Sequence, residues 1–217
     1  MKRKVIFLAT AITLVALTLL TYKYFFQKNQ LFKNLVQIHR KKDQKTVLVF
    51  VQQNLSEYFT YAKLEYPSIS LEEARVLSPF RIYTSSIDEV QSSKTDYELL
   101  SKLKGTTESG EWYYIPIQWS ESEGSLAVVT KINDEYKFRK LILGTYFAKI
   151  REGLGNAKLD WNSPFYFTNL YSKELPIGID AIFFRKGIKL QVIPIGFINY
   201  EPKPIPALKI GDLLKTY

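Results

Sequence analysis

Eighteen consecutive uncharged residues, Val5 to Tyr22, follow Lys2, Arg3 and Lys4 at the head of the sequence. No other feature limits the architecture as strongly. A run this long and apolar is too costly to leave in water, so it must enter a bilayer or be buried. As a helix rising about 1.5 Å per residue it spans roughly 27 Å, close to the hydrocarbon thickness of a membrane. Tyr22, Tyr24, Phe25 and Phe26 stand at its far end, where an interfacial aromatic belt belongs. Lys23 is placed to reach the headgroups. Residues 1–22 are therefore read as an N-terminal transmembrane anchor flanked by Lys2, Arg3, Lys4 and Lys23. A cleaved signal segment shares the basic start and apolar middle. Its small-x-small cleavage pattern, however, appears only at Ala9-Thr10-Ala11, in the middle of the run.

The charge is divided unevenly along the chain. The formal net charge is +9. Residues 1–45 hold ten basic residues and a single acid, Asp43, so this segment accounts for all of it. The remaining 172 residues balance 20 basic against 20 acidic side chains. A neutral body lacks the bias that drives binding to a phosphate backbone, so no nucleic-acid partner is expected. Residues 23–46 read as a basic juxtamembrane spacer. Leu31, Leu35 and Ile38 fall on one helical face, and Lys28, Lys33, Arg40, Lys41 and Lys42 are candidate contacts for anionic lipid. Lys-Arg-Lys before the apolar run favours a cytoplasmic N-terminus, whereas the charges beyond it argue the other way. The density next to the membrane decides for an extracytoplasmic body.

Residues 47–217 read as one globular α+β domain. Val47, Val51, Leu55, Phe59 and Ala62 keep helical spacing up to Pro67. Ser70-Leu71-Glu72-Glu73 matches a capping box and predicts a short helix over 71–77. Strands are expected at 80–84, 111–119, 126–132, 136–143, 165–171, 180–185 and 189–195. The turns at 121–124 and 133–135 make the second to fourth of these an antiparallel meander, and Lys186-Gly187 marks a hairpin. Both faces of 111–119 carry apolar groups, so that strand should be covered on both sides. A helix from Gly144 should close at Gly153 and Gly155. Residues 85–110 are rich in Ser, Thr and Lys, with a short helix expected at 97–103 and a loop bounded by Gly105 and Gly110. Ser78-Pro79-Phe80 recurs as Ser163-Pro164-Phe165, 85 residues on, and Ile115-Pro116-Ile117 as Ile193-Pro194-Ile195. Two tripeptides do not establish a repeat.

The chemistry available is narrow. With no Cys in the chain there are no disulfides, thiolate metal sites or lipidated cysteine, and a single His, His39, leaves no multi-histidine site. No phosphate loop, dinucleotide fingerprint or nucleophile elbow is present. No catalytic residue, metal or cofactor is assigned. The acid pairs Glu121/Glu123 and Asp134/Glu135 fall in turns. They support only an alternative reading, a carboxylate-dependent hydrolase of envelope polysaccharide. Trp112, Trp119 and Trp161 suit strand packing better than a glycan groove.

The expected architecture is an N-terminal transmembrane helix, then helices packed on a mostly antiparallel curved sheet. Its element order is similar to cystatin and NTF2-like folds, an analogy of architecture that carries no function. The expected role is a membrane-anchored, extracytoplasmic interaction module without catalytic activity, such as a subunit of an envelope or secretion assembly. Its partner would be another protein or a second copy of the chain. A small-ligand or lipid carrier is the further alternative, and it would need an apolar cavity inside the curved sheet.

Overall fold

A computed structural model of the chain describes residues 18–23, 45–103, 110–172, 178–197 and 200–215. Two compact units are distinguished, Met1–Leu35 and Val36–Tyr217. In the first, residues 18–23 are helical and exposed. Among the described residues no helix is long and apolar enough to cross a membrane. Most of the expected span, residues 5–17, lies outside them.

The second unit is α+β, and among its described residues nine strands form one open, mostly antiparallel sheet. Helix α1 (45–53) and α2 (Leu55–Glu65) come first, broken at Asn54, whose side-chain amide donates to Phe50 O at 2.7 Å. Strands β1 (Arg75–Val76) and β2 (Phe80–Ser86) follow, then α3 (Ile87–Gln91) and α4 (Asp96–Ser101). The meander β3 (Glu111–Gln118), β4 (Gly124–Ile132) and β5 (Glu135–Ile142) leads into α5 (Thr145–Asn156). Strands β6 (Phe165–Tyr171), β7 (Ile179–Lys186), β8 (Lys189–Pro194) and β9 (Ile205–Pro206) complete the sheet, and α6 (Ile210–Leu214) ends the described chain. The spatial order is β5-β4-β3-β2-β6-β7-β8-β9, with β1 added to β3.

Local chemistry explains the connections. Asn133 and Asp134 sit at φ 50° and 65°, the pair of positive values a two-residue primed turn requires, and they join β4 to β5. Gly187, at φ 64°, opens the β7–β8 hairpin. The central strands are apolar on both faces, and β4 is buried from Gly124 to Thr130. One face carries Tyr113, Ile115, Ile117, Trp119, Ala127 and Val129 beneath Val47, Val51, Tyr58 and Ala62 of α1 and α2. The other carries Phe80, Ile82, Leu126, Phe165, Phe167, Ile182, Phe184 and Ile193 beneath Phe147, Ile150 and Leu154 of α5. Each large side chain removed from water in this way contributes about 1.5–3 kcal/mol.

Among the described residues the only parallel pairing is the central one, β2 beside β6. Its register, Ile82 opposite Phe167, is the same 85-residue offset that separates the two Ser-Pro-Phe tripeptides. Ser78 Oγ also donates to Asn162 Oδ1. The second echo has no such equivalence. Ile115–Ile117 lies in β3, next to β2, whereas Ile193 and Pro194 lie in β8, with β7 between it and β6.

Three expectations are corrected. The helix over 71–77 is a turn followed by β1: Ser70 Oγ accepts from Glu72 N, and Arg75 and Val76 pair with Gln118 and Ile117. The edge of β3 offers these residues backbone partners that one isolated helical turn could not match. Helix α5 does not close at Gly153 and Gly155 but runs to Asn156. Gly153 is there for packing, since a Cβ would lie 2.8 Å from Ile193 Cγ2. Residues 85–103 hold two helices where one was expected. Ser86 caps α3 with a complete capping box: its hydroxyl accepts from Glu89 N at 3.1 Å, and Glu89 Oε2 accepts from Ser86 N at 3.1 Å.

Candidate functional site

Asp180 interrupts the apolar run of β7, Ile-Asp-Ala-Ile-Phe-Phe, and retains only 9% of its surface. An isolated carboxylate in such a place needs partners. Asn169, directly opposite on β6, donates through Nδ2 to Oδ1 at 2.9 Å. The Tyr146 hydroxyl, from the first turn of α5, donates to Oδ2. The backbone follows suit: Asp180 O accepts from Ile195 N at 2.9 Å and Gly196 N at 3.0 Å. Gly178 leaves room for this, because a Cβ there would fall 2.1 Å from Asn169 Oδ1.

Burial pushes the Asp180 carboxyl up to about 7, with the charge of Lys140 pulling it back. The Tyr114 hydroxyl is raised by burial and then by the charge of Asp180. Phe147 of α5 meets Gly124 on β4, while Gly153 meets Ile193 on β8. In a flat sheet those strands would lie about 24 Å apart, whereas the helix rises only about 9 Å between the two residues. The sheet therefore curls toward this face and holds α5 in its concavity. The concavity is filled by Phe147, Ile150 and Leu154, with Trp161 stacked on both Phe147 and Phe80. Both Asp180 oxygens are engaged, so the cluster is a clamp joining α5 to β6 and β7. It holds a proton near neutrality but presents no free carboxylate edge.

The chain matches no known protein family, no curated protein and no solved structure.

The acid pairs read from the sequence are not brought together. Glu121 and Glu123 precede β4, while Asp134 and Glu135 follow it. Nine residues of strand place the pairs roughly 27 Å apart, well beyond the separation two carboxylates need to act on one glycosidic bond. Glu123 bonds Ser120 Oγ at 2.9 Å, and Asp134 is paired with Lys131 at 3.1 Å. Trp119 is fully buried, its Nε1 donating to Ser125 Oγ at 2.9 Å. Of the basic residues proposed to flank or touch a membrane, Lys23 is exposed on the helical stretch 18–23. Lys2, Arg3, Lys4, Lys28, Lys33, Arg40, Lys41 and Lys42 lie outside the described residues, as does His39.

An open cleft of about 380 Å³ lies between α2 and β5, lined by Tyr61, Leu64, Glu65, Phe138, Lys140, Leu141 and Leu143. Its walls are mostly apolar, with Glu65 and Lys140 the charged members, and its rim is exposed, with Tyr61 at 48% and Leu64 at 81%. Beneath it the Tyr58 ring lies 4.6 Å from that of Phe138. Burial holds the Tyr58 hydroxyl up near 12, and it has no hydrogen-bond partner among the described residues. β5 is the last strand on this side of the sheet, and no described residue pairs with its outer edge. The sequence reading missed this site. The signal was there in Glu135–Leu143, where basic residues at Lys137, Arg139 and Lys140 interleave with Tyr136, Phe138 and Leu141.

Proposed function

We propose that the chain is a membrane-tethered protein-interaction module, its body outside the cytoplasm, that engages a partner through the α2–β5 cleft. The observation that carries this reading is a mostly apolar cleft with an exposed rim on the α2–β5 side of the sheet. Exposed apolar groups rimming a cleft are what a partner chain covers. The tether rests on the sequence of residues 1–22 and on the basic residues around it. The hydrolase alternative loses support from the distance between its acid pairs, and the carrier alternative from the filled concavity under α5.

A photo-crosslinking residue at Leu64 in the full chain, in its native membrane, tests the reading. A discrete protein adduct is expected at Leu64 and none at Ile188, another exposed apolar position, in the β7–β8 turn. Absence of an adduct at Leu64, Phe138 and Leu143 refutes the use of this cleft. Protease removal of a tag after Tyr217 while the membrane is intact is the expected result for the orientation. Protection until detergent is added reverses it.

A further inference from the structure

The tip of the β7–β8 hairpin departs from two local rules at once. Gly187, at φ 64°, opens the turn, and a polar residue such as Asn, Asp or Ser ordinarily follows a glycine there. This chain has Ile188, with 60% of its surface in water. On the last rung of the ladder Lys186 stands opposite Lys189, a like-charge pair that weakens a hairpin. Both lysines are exposed, and neither forms an ion pair among the described residues. Neither choice helps the hairpin to form, and departures of this kind mark positions kept for another purpose.

The tip has company. Gln191 pairs with Pro206 and Val192 with Ile205, so the chain leaving β9 runs back along β8 toward the tip. There the turn Ala207–Lys209 packs on β8, with Ala207 buried and Leu208 and Lys209 exposed. α4 lies against the same turn, and its Asp96 Oδ2 accepts from Leu190 N at 3.0 Å. Tyr97, next to Asp96, is exposed. Three elements thus bring Ile188, Leu208 and Tyr97 to one end of the body, with Lys186, Lys189 and Lys209 among them. The acids nearby are already countered. Asp96 faces the charge of Arg185, and Asp212 pairs with Lys215 at 3.3 Å. The excess charge at this end is positive.

We propose that this end of the body docks on an anionic lipid surface, with Ile188, Leu208 and Tyr97 among the headgroups and Lys186, Lys189 and Lys209 against the phosphates. Separate apolar and aromatic tips with a basic collar suit a membrane interface, whereas a folded protein partner needs a continuous complementary patch. The preference for lipid over an acidic protein rests on the tether read from Val5–Tyr22, which keeps the body at a high effective concentration of lipid, where a few weak contacts suffice. The surface is distinct from the α2–β5 cleft, since β8 and β9 stand at the other end of the strand order from β5.

The chain has no cysteine, so Leu208→Cys carries a single fluorescent label. The labelled full chain is placed in nanodiscs of phosphatidylcholine alone or with about a third phosphatidylglycerol, both brominated near the headgroup to quench on contact. Quenching about twofold or more stronger in the anionic discs is expected, and salt should relieve it. A label at Leu64→Cys should show no such difference. Lys186→Gln and Lys189→Gln should each lower the docked-to-free ratio about fivefold. Ile188→Ser should lower it too without lowering the denaturant midpoint, which separates docking from folding. Lys186→Glu with Lys189→Glu should move docking to discs holding a cationic lipid, a gain that misfolding cannot imitate. Equal quenching in neutral and anionic discs overturns the proposal. So does the absence of quenching in a chain that has entered the discs, which leaves the tether standing. A chain that stays out of the discs removes the tether instead; charge-dependent quenching by preformed anionic vesicles then upholds the patch, and its absence removes both. A discrete protein adduct from a photo-crosslinker at Ile188 in the native membrane overturns the lipid assignment in favour of an acidic protein.

Discussion

Replacing Asp180 with Asn should make the protein more stable above neutral pH and flatten its pH response. The carboxyl titrates near 7 in the fold, against 3.8 for an unperturbed aspartate. The folded state therefore holds the proton more tightly than the unfolded chain. The stability this confers is fully present below about pH 4 and is lost as pH rises through 7. A gap of about three units corresponds to roughly 4 kcal/mol between the two limits, falling at about 1.4 kcal/mol per pH unit in the window between them. This is an upper bound, because Asn169 Nδ2 and the Tyr146 hydroxyl both donate to the carboxylate and favour its charged form. Asn imitates the protonated acid in shape and keeps one acceptor oxygen. The measurement is denaturant unfolding of the full chain in detergent at a series of pH values from 4 to 9. The difference between Asp180→Asn and the parent should grow through pH 4–7 and level off above. Parallel profiles across that window would refute the reasoning, since the carboxyl would then be ionised in both states.

Two further substitutions probe packing and capping. Gly124→Ala should destabilise by about 1–3 kcal/mol in the same unfolding assay, because the added Cβ would sit 2.3 Å from Cε1 of the buried Phe147 ring; a neutral result would mean that α5 is free to shift off β4. Ser86→Ala should cost about 1 kcal/mol by removing one side of the capping box of α3, while Ser70→Ala, in the turn before β1, should change little.

That contrast shows where sequence patterns end. Ser70-Leu71-Glu72-Glu73 and Ser86-Ile87-Asp88-Glu89 fit the same capping rule, yet only the second starts a helix. Ile87 and Val90 can bury one side of α3, as they do. The residues after Glu73 instead find backbone partners on β3, and nothing local announces that edge. The strands were legible because alternation and turn chemistry are local: Phe165–Tyr171 was placed to the residue, and Asn133-Asp134 and Lys186-Gly187 marked their hairpins. Gly153 misled because its job is a close approach to Ile193 on β8, a contact 40 residues away in the chain. Asp180 is the lone acid of β7, but Asn169 and Tyr146 meet it only through strand pairing and helix packing. The α2–β5 cleft was hidden for the same reason. It depends on β5 ending up at an edge, which is a property of strand order.

The parallel seam between β2 and β6 bears on how the chain acquires its form. β3 to β5 and β6 to β8 are runs of neighbours in sequence that pair through short connections, so their ladders close small loops at small entropic cost. The seam joins residues 85 positions apart and cannot begin until Phe165–Tyr171 has left the ribosome. By then the first meander has had its full sequence for some twenty residues of synthesis. Long-range pairing is the slow part of assembling a sheet. The middle of this sheet therefore zips after the first meander, and two half-built sheets with an exposed inner edge apiece are what a chaperone would meet.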